Sequence, residues 1–360
     1  MKKITFPHLG DYAVPIKFLI QKLVKNSEIC TPPPITKKTL ELGSLHSPDF
    51  VCVPFKYNLG NFIEAMDQGA NVIVQAGGGC RFAYYGEVQN QILKDLGYKF
   101  EFYSLANEDA KMNPFTFYRS LKKMNGDKLS FFKYAYYMIL TALMVLFMDK
   151  IDIFIRKNIG FETNKNSFLD LKEEMLESFS KTKGFISLIH NYFKYKKRFR
   201  SLPINKSKDV LKVGVIGELY TSIEPFSSYN IEYELAKMNV EIDRFTDLTY
   251  LMITKRFNLR FVLGSVKKYL KYAIGADGTD NVARTKWLGK KKYDGIIHTK
   301  PFGCTPEVGA IPIITKVAED YNIPVIFLSF DGQTSEEGIR TRLEAFYDMI
   351  KQRKEALNEK

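Results

Sequence analysis

A chain of 360 residues, 45 % of them hydrophobic, is long enough for two or three domains with real cores and is not a disordered composition. Four cysteines are too few for a disulfide scaffold, and the amino-terminal MKKITFPHLG lacks the long apolar stretch of a secretory signal, so the chain reads as cytoplasmic and reduced. The formal charge of +13 is concentrated in Leu105–Lys208, which holds 20 Lys and Arg against 10 Asp and Glu. Such a region meets a nucleic acid, an anionic membrane or an acidic protein face. No groove-reading or RNA-binding motif accompanies it, so no specific nucleic acid is expected and a solvated surface is the ordinary explanation.

The first 105 residues alternate short apolar runs with helical patterns. Lys2–Phe6 reads as a strand, Ile16–Val24 as a helix, and Pro32–Pro34 forces an extended turn. Phe50–Val53 follows as a strand or strand end, Leu59–Gln68 as a helix, Val72–Gln75 as a strand, Tyr84–Leu96 as a helix and Phe100–Ser104 as a strand. Residues 106–208 carry long helical periodicity broken at Gly126, Gly160 and Gly184, as an inserted helical layer would. Within it Phe131–Met148 is almost wholly apolar and near the lower limit for crossing a membrane; Lys133 and Asp149–Lys150 favour a buried helix or surface contact instead.

At Leu211 the alternation resumes. The strands are Lys212–Ile216, Glu241–Phe245, Gly295–His298 and Pro324–Ser329; the helices are Tyr229–Met238, Thr254–Ala273, Pro306–Asp320 and Glu336–Ile350. The expectation is an α/β fold: two parallel-sheet lobes (1–105 and 209–360) facing a shared cleft, with a basic helical insertion (106–208) between them in sequence.

Three cysteines stand where a soft metal or an iron–sulfur group could be held, in FVCVPF (Cys52), GGGCRF (Cys80) and PFGCTPE (Cys304). Cys80 and Cys304 follow apolar runs that read as parallel strands, and ligands of open α/β sheets gather past the carboxyl ends of strands. Each thiol also precedes a helical pattern; at Cys304, Thr305 suits the cap and Pro306 the first helical position. A helix amino end favours thiolate, the form that binds such metals. The competing reading is that the cysteines are small buried hydrophobes. No CxxC pair points to a zinc ribbon, although a zinc-bound scaffold is a third alternative.

Gly77, Gly78 and Gly79 let a ligand approach the backbone, and Arg81 could balance a negative cluster. His8 and His298 end expected strands, and Glu218 follows another; these are the candidate acids, bases or ligands, against structural roles for each. Lys56 and Lys300 flank the two Pro-Phe pairs and could meet an anionic thioester or phosphate.

Seven motifs in order carry a resemblance: TFPHLG, PPPITKKTLELG, FVCVPFKYNLGNFIEAM, CRFAYYGEVQ, GELYTSIEPFSSYNIE from Gly217, HTKPFGCTPE and FDGQTSEEGIRTRLEAF. Together they resemble the 2-hydroxyacyl-CoA dehydratase-like family over roughly two thirds of the chain, nearest to the branch of acyl-CoA dehydratase activase-related proteins. The resemblance implies two α/β lobes, a [4Fe–4S] cluster held by cysteines and an ATP-dependent activator protein that delivers an electron. It also implies an acyl-CoA substrate, whose ketyl radical can expel a hydroxyl. Carried onto this sequence, Cys52, Cys80 and Cys304 are the expected ligands, with Cys30 the candidate fourth. Three thiolates would leave one iron open for a substrate oxygen; four would close it. QAGGGC has fewer cysteines than the pattern, which counts against a double cluster, and no GxxxxGK[ST] run is present, so ATP-driven reduction must come from another protein. The expected function is low-potential electron transfer, or radical reduction or dehydration of an acyl-CoA, under anaerobic conditions. The alternative is a non-catalytic accessory or binding module docking to a membrane surface, nucleic acid or protein.

Overall fold

The computed structural model describes residues 1–77, 80–105 and 114–359. They form two compact units, Met1–Val145 with Ser178–Leu188, and Leu146–Glu177 with Ile189–Lys360.

In the first unit the order is β1 (Lys2–Thr5), α1 (Ala13–Leu23), β2 (Ser27–Ile29), α2 (Lys37–His46), α3 (Val53–Asp67), β3 (Val72–Gln75), α4 (Tyr85–Asp95), β4 (Glu101–Ser104) and α5 (Pro114–Met124). The first part of α6 (Phe131–Asn158) completes it. All strand pairs are parallel, in the order β2-β1-β3-β4. One sheet face, with Ile4, Val72 and Val74, packs on α1, α5 and Tyr134 of α6; the other, with Ile73, packs on Phe55, Leu59, Phe62 and Leu93 of α3 and α4.

The second unit takes the rest of α6, most of α7 (Ser167–Ser180) and α8 (Phe185–Arg200), then β5 (Leu211–Gly217), α9 (Leu219–Ile223), α10 (Ile231–Lys237) and β6 (Val240–Arg244). A π-helical turn at Tyr250–Thr254 leads into α11 (Lys255–Ser265), followed by α12 (Gly278–Lys290), β7 (Gly295–Pro301), α13 (Thr305–Asp320), β8 (Val325–Phe330) and α14 (Glu336–Asn358). Its sheet repeats the first order, β6-β5-β7-β8, again all parallel. Val213 and Val215 face α10 and α14, while Ile216 and Ile296 face α12 and α13. The α/β class expected from the sequence is the observed one.

Three expectations change. Phe50–Val53 is not a strand: Phe50 is 95 % exposed, and Val53 begins α3 because Pro54, in the first turn, loses nothing by lacking an N–H there. β2, α2, α9 and α12 were not expected; β2 is only three residues long, with burial too partial to mark a hydrophobic run. α12 hides from a hydrophobicity reading because most of its buried face is polar, with Thr279, Asp280, Asn281, Arg284 and Thr285 inside beside only two large apolar residues, Val282 and Leu288. β7 runs to Pro301, so His298 lies within the strand rather than at its end. The breaks at Gly126, Gly160 and Gly184 hold: they fall between α5 and α6, in the 3₁₀ turn Ile159–Phe161, and directly before α8. Among the described residues no helix is long and apolar enough to cross a membrane.

α2 and α3 cross through glycine. A Cβ on Gly60 would stand 1.9 Å from the Thr39 carbonyl oxygen, and one on Gly43 would stand 1.8 Å from that of Lys56. Both obstacles are backbone, so neither can swing aside. Gly60→Ala is expected to destabilise the chain by about 1–3 kcal/mol in chemical denaturation; an unchanged midpoint would show that the two helices separate freely.

Candidate functional site

Three of the four cysteines share one local geometry. Cys52 is the N-cap residue of α3, Cys80 that of the 3₁₀ turn Arg81–Tyr84 leading into α4, and Cys304 that of α13. The cap at α13 is thus Cys304 itself rather than Thr305. Cys80 and Cys304 also hold the same topological place, each following the strand that adjoins the first of its sheet on the side away from the second, β3 and β7. There the strand order reverses, and the carboxyl ends of neighbouring strands open a crevice.

In the first unit Cys52 and Cys80 are drawn together around Tyr85. The Tyr85 hydroxyl lies 2.8 Å from Cys52 Sγ. Burial, then the Cys52 and Cys80 sulfurs, push that hydroxyl far above the ordinary tyrosine value, so it stays protonated. When Cys52 is a thiolate, Tyr85 is therefore the donor between them. The ring is fixed edge-on to Phe55 and against Phe82 at centroid distances of 4.9 and 5.2 Å. Cys80 Sγ in turn accepts from the Phe82 amide at 3.5 Å. Tyr85 was not singled out in the sequence; its one signal is its place in CRFAYYGEVQ, five residues after Cys80 at the start of a helix.

The other first-unit candidates stand at the same edge of the sheet. His8, just past β1, is tied by its backbone amide to Asn61 Oδ1 of α3 at 3.2 Å, and Asn61 reaches the Pro33 carbonyl at 2.8 Å. Gly77 follows β3; Gly78 and Gly79 lie outside the described residues. Arg81 is exposed in the turn after Cys80. Cys30, just past β2, has its Sγ 3.8 Å from the Ala65 carbonyl oxygen, and burial pushes its thiol up, which favours the protonated form. Gln75, the last residue of β3, is buried and neither of its amide atoms has a hydrogen-bond partner among the described residues, nor has the hydroxyl of Thr5, the last residue of β1. Native interiors rarely leave such groups unpaired without a ligand or water.

In the second unit Glu218 follows β5 and Cys304 follows β7, on adjacent strands with Gly217 paired to Thr299. The Glu218 carboxylate caps α9, accepting from the Tyr220 and Thr221 amides at 3.0 and 2.9 Å and from the Thr221 hydroxyl at 2.9 Å. Burial nonetheless raises its pKa to about 7, against the pull of those donors, and the Asp277 charge adds to the rise. His298, fully buried, places Nε2 2.7 Å from Glu307 Oε2. Asn281 donates to the same oxygen at 2.9 Å and to the Gly217 carbonyl at 3.1 Å, and Arg284 donates to Asn281 Oδ1. This network ties β5, α12 and β7 to the first turn of α13, and so holds Cys304. Glu307, three residues after that cysteine, was legible only as part of PFGCTPE. Lys300 is 5 % exposed; burial lowers its pKa, while Cys304 and Glu307 oppose the fall.

Among the described residues no group of three or more His, Cys, Asp or Glu side chains is arranged to hold a metal ion. The donor chemistry of the first unit nevertheless fits a thiolate-ligated group at two positions, Cys52 and Cys80, with Tyr85 as a hydrogen-bond donor.

Residues 279–350 match the family model described as 2-hydroxyglutaryl-CoA dehydratase, D-component. The matched stretch runs from α12 to α14 and includes β7, Cys304 and Glu307. No curated protein matches the chain.

With an unfolded reference near 4.3, a folded Glu218 value of about 7 means that folding takes up a proton. This group's contribution to stability therefore falls as pH rises from about 4.3 to about 7. A carboxyl infrared band lost in Glu218→Gln should titrate with a midpoint near 7 and move down in Asp277→Asn. A midpoint between about 4 and 5 would refute the assignment.

Proposed function

From the match of residues 279–350 to the 2-hydroxyglutaryl-CoA dehydratase D-component model, we propose that the chain is an iron–sulfur component of a dehydratase-like system, working in the cytoplasm with an ATP-dependent activator. The observation that carries the reading is the shared N-cap placement of Cys52, Cys80 and Cys304, the last two past the ends of β3 and β7. Cys52 and Cys80 would hold the group, with Cys304 a further candidate ligand and Cys30 the fourth. When bound, a [4Fe–4S] cluster supplies a low-potential electron and, with an open iron, a Lewis-acidic position.

The residues of this chain do the rest. Amide dipoles at the amino ends of α3 and α13 lower the energy of thiolates at Cys52 and Cys304. The Tyr85 hydroxyl spreads the charge on Cys52 Sγ and fixes its direction. Glu218, with a pKa of about 7, holds a proton near neutrality and can release it at Oε1 or Oε2 to a departing oxygen. Lys300, deprotonated more easily than an ordinary lysine, balances negative charge around Cys304 and Glu307. An acyl-CoA is the proposed substrate, and the D-component description of residues 279–350 supports a partner component.

The deciding experiment is metal analysis of chain purified without oxygen, with the visible spectrum before and after dithionite. About four iron and four sulfide per chain, bleaching on reduction, is the expected result; Cys52→Ala and Cys80→Ala should each lose most of it. Cys304→Ala decides whether that thiol contributes. Equimolar zinc without sulfide, or neither metal after reconstitution, would sink the reading.

A further inference from the structure

The inserted helices leave one contiguous apolar patch in water. Phe132, Tyr136 and Ile139 follow one another at helical spacing on α6 and are 85, 48 and 62 % exposed. Beside them starts α8: a Cβ on Gly184 would stand 3.2 Å from the Tyr136 hydroxyl, and the next residues, Phe185 and Ile186, are 47 and 85 % exposed. All five belong to the first unit. Single exposed apolar residues need no explanation, but a contiguous cluster of large ones marks a contact surface.

The segments that carry the patch are basic, although Asp127 and Glu177 adjoin them in sequence. Residues 128–145 and 178–188 contain Lys128, Lys133, Lys181 and Lys183 and not one Asp or Glu. Phe132 and Phe185–Ile186 sit in the opening turns of their helices, so apolar tips and lysines share one end of the helical layer. No helix among the described residues can cross a bilayer. A side chain such as Phe132 or Ile186 can still enter the boundary between headgroup and acyl chain, with tyrosine at headgroup level and lysines meeting anionic lipid.

We propose that this patch docks the chain on an anionic membrane surface. The inference is independent of the cluster and of the dehydratase reading. It concerns a face of the fold away from every cysteine in sequence and needs neither metal nor acyl-CoA.

The test is co-sedimentation of the full chain with vesicles of phosphatidylcholine alone and with about one third phosphatidylserine. Binding is expected only to the anionic vesicles. Phe132→Ser with Ile186→Ser should weaken it by about tenfold or more, and Lys128→Glu with Lys183→Glu should weaken it comparably, each with an unchanged circular dichroism spectrum. No sedimentation at low salt would overturn the proposal. So would binding that the double serine variant retains, since that is plain electrostatic adsorption. Self-association abolished by the serine variant, without vesicle binding, would make the patch a protein interface and equally overturn it. Iron content should be the same in all variants, which separates this test from that of the cluster.

Discussion

Parallel strand pairing is the constraint on which everything else depends. Two parallel neighbours cannot be joined by a tight turn, so each connection crosses over through helix and every strand points the same way. Carboxyl ends of strands and amino ends of the following helices then collect along one edge of each sheet. The chain imposes this twice, with the same strand order in both units. As a result Cys80 and Cys304, remote in sequence, occupy the same kind of place: past a central strand, at a helix start, where the order reverses.

That shared place also explains the chemistry found there. Helix starts leave amides unpaired and carry partial positive charge, so they suit thiolates and carboxylates alike. The two units use the opportunity differently. The first sets the Tyr85 hydroxyl against the Cys52 sulfur; the second builds a buried network of His298, Glu307, Asn281 and Arg284 under Cys304 and caps α9, past the neighbouring strand, with Glu218. His298 illustrates the division of labour. Fully buried, it holds the first turn of α13 through Glu307. The exposed apolar end of the helical layer is a separate matter, since neither sheet needs those side chains for its core.

Seven of the eight strands were readable in the residues, because Val72–Gln75 and its counterparts are apolar runs bounded by glycine and polar turns; the short, half-exposed β2 was not. The helix breaks at Gly126, Gly160 and Gly184 were readable for the same reason. The cysteine positions, and the Pro-bearing helix starts beside two of them, were legible too. α12 was not, because most of what it buries is polar and its two large apolar residues, Val282 and Leu288, are too few to set a hydrophobic period. Nor was Phe50–Val53, whose apolar run stands beside a helix start and leaves Phe50 in water.

What the sequence determined by itself, then, was the class of fold, the thiols and the helix starts beside Cys52, Cys80 and Cys304, all of which follow from local pattern. Only the tertiary structure decided which side chain each of them meets. The contact of Cys52 with Tyr85, and the depth at which His298 finds Glu307, depend on how α3, α4, α12 and α13 pack onto their sheets. Packing joins residues far apart in the chain, and no spacing along it encodes that.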